Sequence, residues 1–177
     1  MRSTPHTPTR DGALPVRLVE TCRAPDAWYS PRVAYLTIDV HQRLLVARRV
    51  GIADAPSVTS MLRWVSDALH ASRHPLALVY DAGTSAGGLP DAAARRAGGE
   101  WLARNQRLLR ERCVGIDFAF ASPVSRGALT AVFWIAQPVV PWAIHASVEL
   151  AVESALTRLG DARFDAADVL RELARHG

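Results

Sequence analysis

Lysine is absent from the 177-residue chain, so every basic side chain is an arginine. The formal charge of +4 is carried by 21 arginines against 17 acids. An arginine-only basic set follows from GC-rich codon usage before it follows from phosphate recognition. Most of these arginines are scattered among acids. The densest group, Arg95, Arg96, Arg104, Arg107, Arg110 and Arg112, spreads around the outer arc of a helix and reads as a solvated face. Nucleic-acid binding needs a denser patch with interleaved aromatics, so no nucleic-acid partner is expected. Cysteine is nearly absent too. Cys22 and Cys113 are far apart and belong to no metal-ligand spacing, which points to a reducing compartment without a disulfide framework. His41, His74 and His145 have no i,i+4 ligand partner, so neither a metal site nor a cofactor is expected. The longest apolar stretch, residues 128–144, is broken by Gln137, Pro138 and Pro141 and does not reach membrane-spanning length. Residues 1–10 lack the apolar core of a secretory signal. Together these absences lead to the expectation of a cytoplasmic protein with no transmembrane segment.

What the chain does have is hydrophobic mass. With 49% hydrophobic residues it can bury a real core without a metal or disulfide, and its length suits one domain. Residues 1–31 carry prolines and small polar residues without a period and read as a flexible or loosely docked extension, with Leu14 to Val19 as a candidate edge strand and Trp28-Tyr29 as an anchor. The domain proper is expected over residues 32–177.

Two adjacent apolar runs, Val33 to Ile38 and Leu44 to Val50, are separated by a short turn and predict an antiparallel hairpin. Asp54 before Ala55-Pro56 has the form of a helix N-cap, and Val58, Met61, Leu62, Val65 and Leu69 then recur at helical spacing. Leu76 to Tyr80 is continuously apolar, as in a strand buried on both faces. A glycine-rich loop over residues 81–90 leads into a helix from Asp91 to about Arg112. Gly98-Gly99 weakens that helix by about 1 kcal/mol per glycine and suggests a bend or a close approach. A strand over residues 114–121, a strongly apolar helix over 124–137, a short edge strand over 142–145 and a helix over 148–159 follow. Leu150, Val152, Ala155, Leu156 and Leu159 form the expected core stripe of this last helix. Asp165 with Asp168 caps a final short helix through Arg175. The order predicts an α/β fold: a β-hairpin followed by β/α units, with helices packed against a four- to five-stranded mixed sheet.

Three features carry candidate chemistry. Gly83-Thr84-Ser85-Ala86-Gly87 fits G-x-S-x-G directly after a predicted strand, and Asp117 and His145 follow in the Ser, Asp, His order of α/β-hydrolases. Against a nucleophile elbow, Gly88, Leu89 and Pro90 separate Ser85 from the next helix. Asp81 stands at the carboxyl end of a central strand, where α/β sheets bind ligands, and equally where an aspartate accepts hydrogen bonds from loop amides. The segment 125–138 is nearly all apolar after Arg126-Gly127. It reads as a buried helix or, alternatively, as a patch of Arg126, Phe133, Trp134 and Trp142 for a partner or a second copy of the chain.

The strand Leu76 to Asp81 entering a small-residue loop, the later strand Gly115-Ile-Asp-Phe-Ala-Phe120 and the segment order resemble the SpoIIAA-like fold, which includes STAS domains of the anti-sigma-factor antagonist type and their SEC14-like relatives. The likeness covers roughly residues 32–160. It implies a non-enzymatic regulatory or scaffolding module that binds a protein partner through a loop comprising Asp81, Gly83, Thr84, Ser85 and Gly87. In the antagonists a hydroxyl residue following the strand-end aspartate is phosphorylated. Here Ala82 stands in that place, and the nearest hydroxyls are those of Thr84 and Ser85. The SEC14-like relatives imply a second reading, a small-ligand or lipid-binding domain with an apolar pocket. A serine hydrolase using Ser85 is the third.

Overall fold

The computed structural model of the chain describes residues 16–19, 35–40, 43–50, 54–82, 90–135, 137–160 and 165–175. Most of the expected N-terminal extension, and Gly83, Thr84, Ser85 and Gly87, lie outside these residues. The described strands are β1 (Val16–Val19), β2 (Tyr35–Val40), β3 (Leu44–Arg49), β4 (Leu76–Asp81), β5 (Cys113–Ala119) and β6 (Trp142–His145). They form one sheet in the order β1-β2-β3-β4-β5-β6.

The protein is α/β, with its helices packed on the sheet. β3, β4, β5 and β6 are parallel to one another throughout. The expected mixed, four- to five-stranded sheet is therefore corrected in two respects. The part of the sheet that carries helices is a wholly parallel body of four strands. Antiparallel pairing is confined to β1 and β2, which extend the sheet to six strands among the described residues. The physical reason lies in the connections. The few residues between β2 and β3 permit only a hairpin, whereas each later connection is long enough for a helix and so for a parallel crossover. β4 is interior, paired with β3 on one side and β5 on the other, which is why Leu76 to Val79 are all buried.

The helices are α1 (Ala55–Ala71), α2 (Ala92–Arg104), α3 (Gln106–Arg112), α4 (Pro123–Ile135), α5 (Val148–Leu159) and α6 (Ala166–Arg175). Side-chain caps set the starts of α1, α2, α5 and α6. Asp54 accepts from the Ser57 amide at 2.9 Å, Asp91 from Ala94 at 2.7 Å, Ser147 from Leu150 at 3.4 Å and Asp165 from Ala167 at 2.8 Å. Gly160 ends α5 in the left-handed region at φ 60°. The single helix expected from Asp91 to Arg112 is two, because the chain leaves helical geometry at Asn105 (φ −103°, ψ 17°).

Strands β3 to β6 follow one another across the sheet. A constant crossover hand then places the connecting helices on one face. Leu45, Ala47, Leu78 and Ile116 on that face pack with Val58, Met61, Val65 and Leu69 of α1, Trp101 of α2 and Leu109 of α3. Side chains one residue out of phase point to the other face. There Leu44, Val46, Ala77, Val79 and Ala119 meet Ala151, Val152 and Ala155 of α5 and Val169 and Leu173 of α6. The alanines of β4 and α5 bring helix and sheet backbones close together. Of the expected α5 stripe, Val152, Ala155, Leu156 and Leu159 pack in this core, but Leu150 is 49% exposed and Ala151 is fully buried in its stead. The inward positions are 148, 151, 152, 155, 156 and 159, a helical spacing that leaves residue 150 off the stripe.

No helix among the described residues is long and apolar enough to cross a membrane.

Candidate functional site

The helix-bearing face of the parallel body is not filled. A cavity of about 650 Å³ lies between the sheet and helices α1, α2 and α4. Its floor is Leu45 and Ala47 of β3, Leu78 and Tyr80 of β4, and Ile116 and Phe118 of β5, with Phe120 just beyond. Alternation along each strand puts these residues on one face. Val58, Met61, Leu62, Trp64 and Val65 of α1 form one wall and Ala128, Leu129 and Phe133 of α4 another. Protein interiors are close-packed, with few voids larger than a water molecule. At about 24 cal/mol per Å³ of void, leaving an enclosed space of this size empty would cost more than the entire stability of an ordinary domain. A solvent-connected site that takes a ligand avoids that cost, and the volume falls in the ordinary range of small-molecule sites.

The mouth is marked by exposed lining residues. Arg95, Gly98, Gly99, Leu102, Ala103 and Gln106 border the cavity along one stripe that runs from α2 into α3. Of these Arg95, Gly99, Ala103 and Gln106 are exposed, as is Gln137 beyond α4. A Cβ placed on Gly98 or Gly99 would meet nothing within 4 Å. The close approach expected at this glycine pair is therefore absent, and the glycines leave open space instead. They also do not interrupt the helix; the break comes later, at Asn105.

Polar groups inside are few and engaged. Trp101 Nε1 donates to Ser66 Oγ at 2.8 Å, and Ser66 donates in turn to the Leu62 carbonyl at 3.0 Å, tying α2 to α1. The aromatic rings form a chain: Phe120 with Tyr80 (centroids 5.9 Å apart), Tyr80 with Phe118 (6.2 Å), Phe118 with Phe133 (5.1 Å) and Phe133 edge-on to Trp142 (4.8 Å). This chain corrects the alternative of an exposed patch at Phe133 and favours the buried-helix reading there. Phe133 is 3% exposed because its ring is held between Phe118 and Trp142, and Trp142 is half-buried. Arg126 does not reach out for a partner either. Its Nη1 donates to the carbonyls of Phe120 and Ala121 at 2.7 and 2.8 Å, closing the carboxyl end of β5. Of Trp134, only its place in α4 is described.

Two ionic clusters lie on the opposite face. Asp81 accepts from Arg48 Nε at 2.7 Å, across the β3–β4 pairing, and Arg48 Nη1 also donates to the Leu173 carbonyl of α6 at 3.0 Å. The carboxylate that the sequence offered as a ligand group or loop cap thus takes part in an ion pair that ties β3 to β4, while the same arginine reaches α6. Asp117 is fully buried. Its Oδ1 is 2.7 Å from His145 Nε2, and its Oδ2 accepts from Arg158 Nη1. Asp117 and His145 do meet, therefore, but under α5 and on the face away from the cavity, with Arg158 holding the second carboxylate oxygen. Sequence reasoning missed Arg158; the signal available was an aspartate inside an otherwise apolar strand, which requires a buried counter-charge. Gly115 makes room for that arginine. A Cβ there would stand 2.9 Å from Arg158 Cδ and 3.0 Å from the Pro141 carbonyl oxygen. Cys113 is no nucleophile: burial pushes its thiol up to about 12. The described residues contain no cluster of His, Cys, Asp and Glu able to hold a metal.

The chain matches no protein-family model, no curated protein and no solved structure.

Proposed function

We propose that the protein binds an apolar small molecule in the cavity between the sheet and helices α1, α2 and α4, without chemistry of its own. The observation that carries this reading is about 650 Å³ of space lined almost entirely by aliphatic and aromatic side chains, with its exposed polar residues at the rim. α4 is the wall best suited to admit a ligand, since among the described elements it packs chiefly against β6, and sparse packing lowers the free energy of local opening.

At about 30 Å³ per water-sized group, the space suits on the order of twenty heavy atoms. At roughly −0.3 kcal/mol per atom, such a ligand binds with about −6 kcal/mol, a Kd in the tens of micromolar. The test is a titration with prodan, an uncharged dye whose emission reports polarity. Saturable, blue-shifted emission excited through tryptophan supports the reading, because Trp64 and Trp101 line the cavity. Emission that stays at its aqueous value refutes it.

The regulatory, partner-binding role implied by the SpoIIAA-like resemblance is the second reading. Its support is the unbroken sequential order of the four parallel strands and their intervening helices. It is compatible with the first, since a ligand resting on α4 would bias a surface that a partner could read. Phosphate incorporated at Thr84 or Ser85 by a kinase encoded beside this gene supports it; label elsewhere, or none, counts against it.

A further inference from the structure

The cavity is polarised, and its polarity names a ligand class. Among the described lining residues Arg95 is the only charged one, and it stands at the rim rather than inside. Its guanidinium is held in place without being neutralised. Nη1 donates to the Pro90 carbonyl at 2.6 Å, and Arg95 makes no ion pair among the described residues. The nearby Asp91 carboxylate is committed to the Ala94 amide as the cap of α2. Arg95 retains further N–H donors in fork geometry, suited to a carboxylate or a similar oxyanion. From Arg95 the small residues Gly98 and Gly99 lead inward along the same stripe, and neither presents a side chain to block the way. Beyond them the walls are Leu102, Trp101, Phe118 and Phe133.

Resting on the apolar-ligand reading above, we propose that the ligand is a free, single-chain anionic amphiphile. Its hydrocarbon tail lies in the cavity between α2 and α4, and its head is met by Arg95 at the mouth. A two-chain lipid carries more heavy atoms than the available space of about 650 Å³ takes, and a head group deep in the cavity would lack a counter-charge there.

The test compares three amphiphiles with the same twelve-carbon tail, dodecanoate, dodecan-1-ol and dodecyltrimethylammonium. Each is used below its micelle concentration or, for the alcohol, its solubility limit to displace bound prodan from the full chain. Dodecanoate should displace at the lowest concentration and the cation at the highest. Arg95 is exposed, so the anion-over-alcohol preference should be modest, about three- to five-fold, and should shrink as salt is raised. Arg95→Gln should abolish the preference, and Arg96→Gln, at a neighbouring arginine that does not line the cavity, should leave it. Equal displacement by all three amphiphiles, or a preference that survives Arg95→Gln, overturns the head-group assignment while the cavity reading stands. Failure of prodan itself to bind overturns both.

Discussion

Replacing Gly98 tests whether the space beside α2 is real. A Cβ at this position meets nothing within 4 Å, so alanine introduces no clash and removes the entropic penalty of glycine in a helix. The expected gain is about 1 kcal/mol, which raises Tm by roughly 2–4 °C for a domain of this size. Leucine is nearly as good a helix former, and its larger side chain enters the cavity. Burying it against Leu102 and Phe133 adds up to about 1.5–3 kcal/mol. The same side chain takes up about four of on the order of twenty heavy-atom places, so prodan affinity should fall by about tenfold or more. Thermal melting and dye titration on the same preparations read both effects. Stabilisation accompanied by weaker binding is the expected pair. A Gly98→Leu variant that melts lower than wild type would mean that other atoms already fill the space. One that binds dye unchanged would mean that the dye sits elsewhere.

Three further outcomes follow from the same geometry. Arg158→Met leaves the Asp117 carboxylate buried without its cation and should destabilise the fold by about 3–5 kcal/mol in urea unfolding, while prodan affinity, read on the opposite face, stays within twofold; equal stability would remove the structural role of the cluster. Cys113 should resist a thiol-specific reagent at pH 8 in the native state and react once unfolded, because burial keeps its thiol protonated; labelling of Cys113 in the folded protein contradicts this. The Ser147 hydroxyl and the amide of Glu149 itself hold the Glu149 carboxyl below its ordinary value. A depressed folded value contributes stability that is present above the ordinary carboxylate range and is lost as pH falls through the folded one. Ser147→Ala should therefore lower Tm at neutral pH by more than it does near pH 3, and a pH-independent difference would argue against the linkage.

The parts of the fold that were legible in the sequence were those fixed by local chemistry. Asp54, Asp91, Ser147 and Asp165 announce helix starts because a short acceptor side chain satisfies an amide that the helix leaves free. Gly160 announces an end because it alone takes φ 60° without strain. Leu76 to Val79 identified an interior strand, since only burial on both faces tolerates an unbroken apolar run. What was not legible depended on what faces what. Met61, Trp101 and Phe133 have the composition of ordinary core residues, and nothing in their spacing reveals that their side chains border a space. Gly98-Gly99 was the available sign, but a glycine pair marks close approach as readily as open room. In the first turn of α5 it is Ala151 and not Leu150 that faces the sheet, a choice set by the sheet and not by the helix's own pattern. The short edge strand expected between Leu14 and Val19 is found as Val16–Val19, at the edge of the described sheet.

The most direct measurement is a crystal structure of the protein grown with dodecanoate. Continuous tail density is expected over Phe118, bounded by Trp101 of α2 and Phe133 of α4, with the carboxylate within hydrogen-bonding distance of Arg95. A structure in which α4 has closed onto α2 and the tail lies on the outer surface, or is absent at saturating ligand, would contradict it.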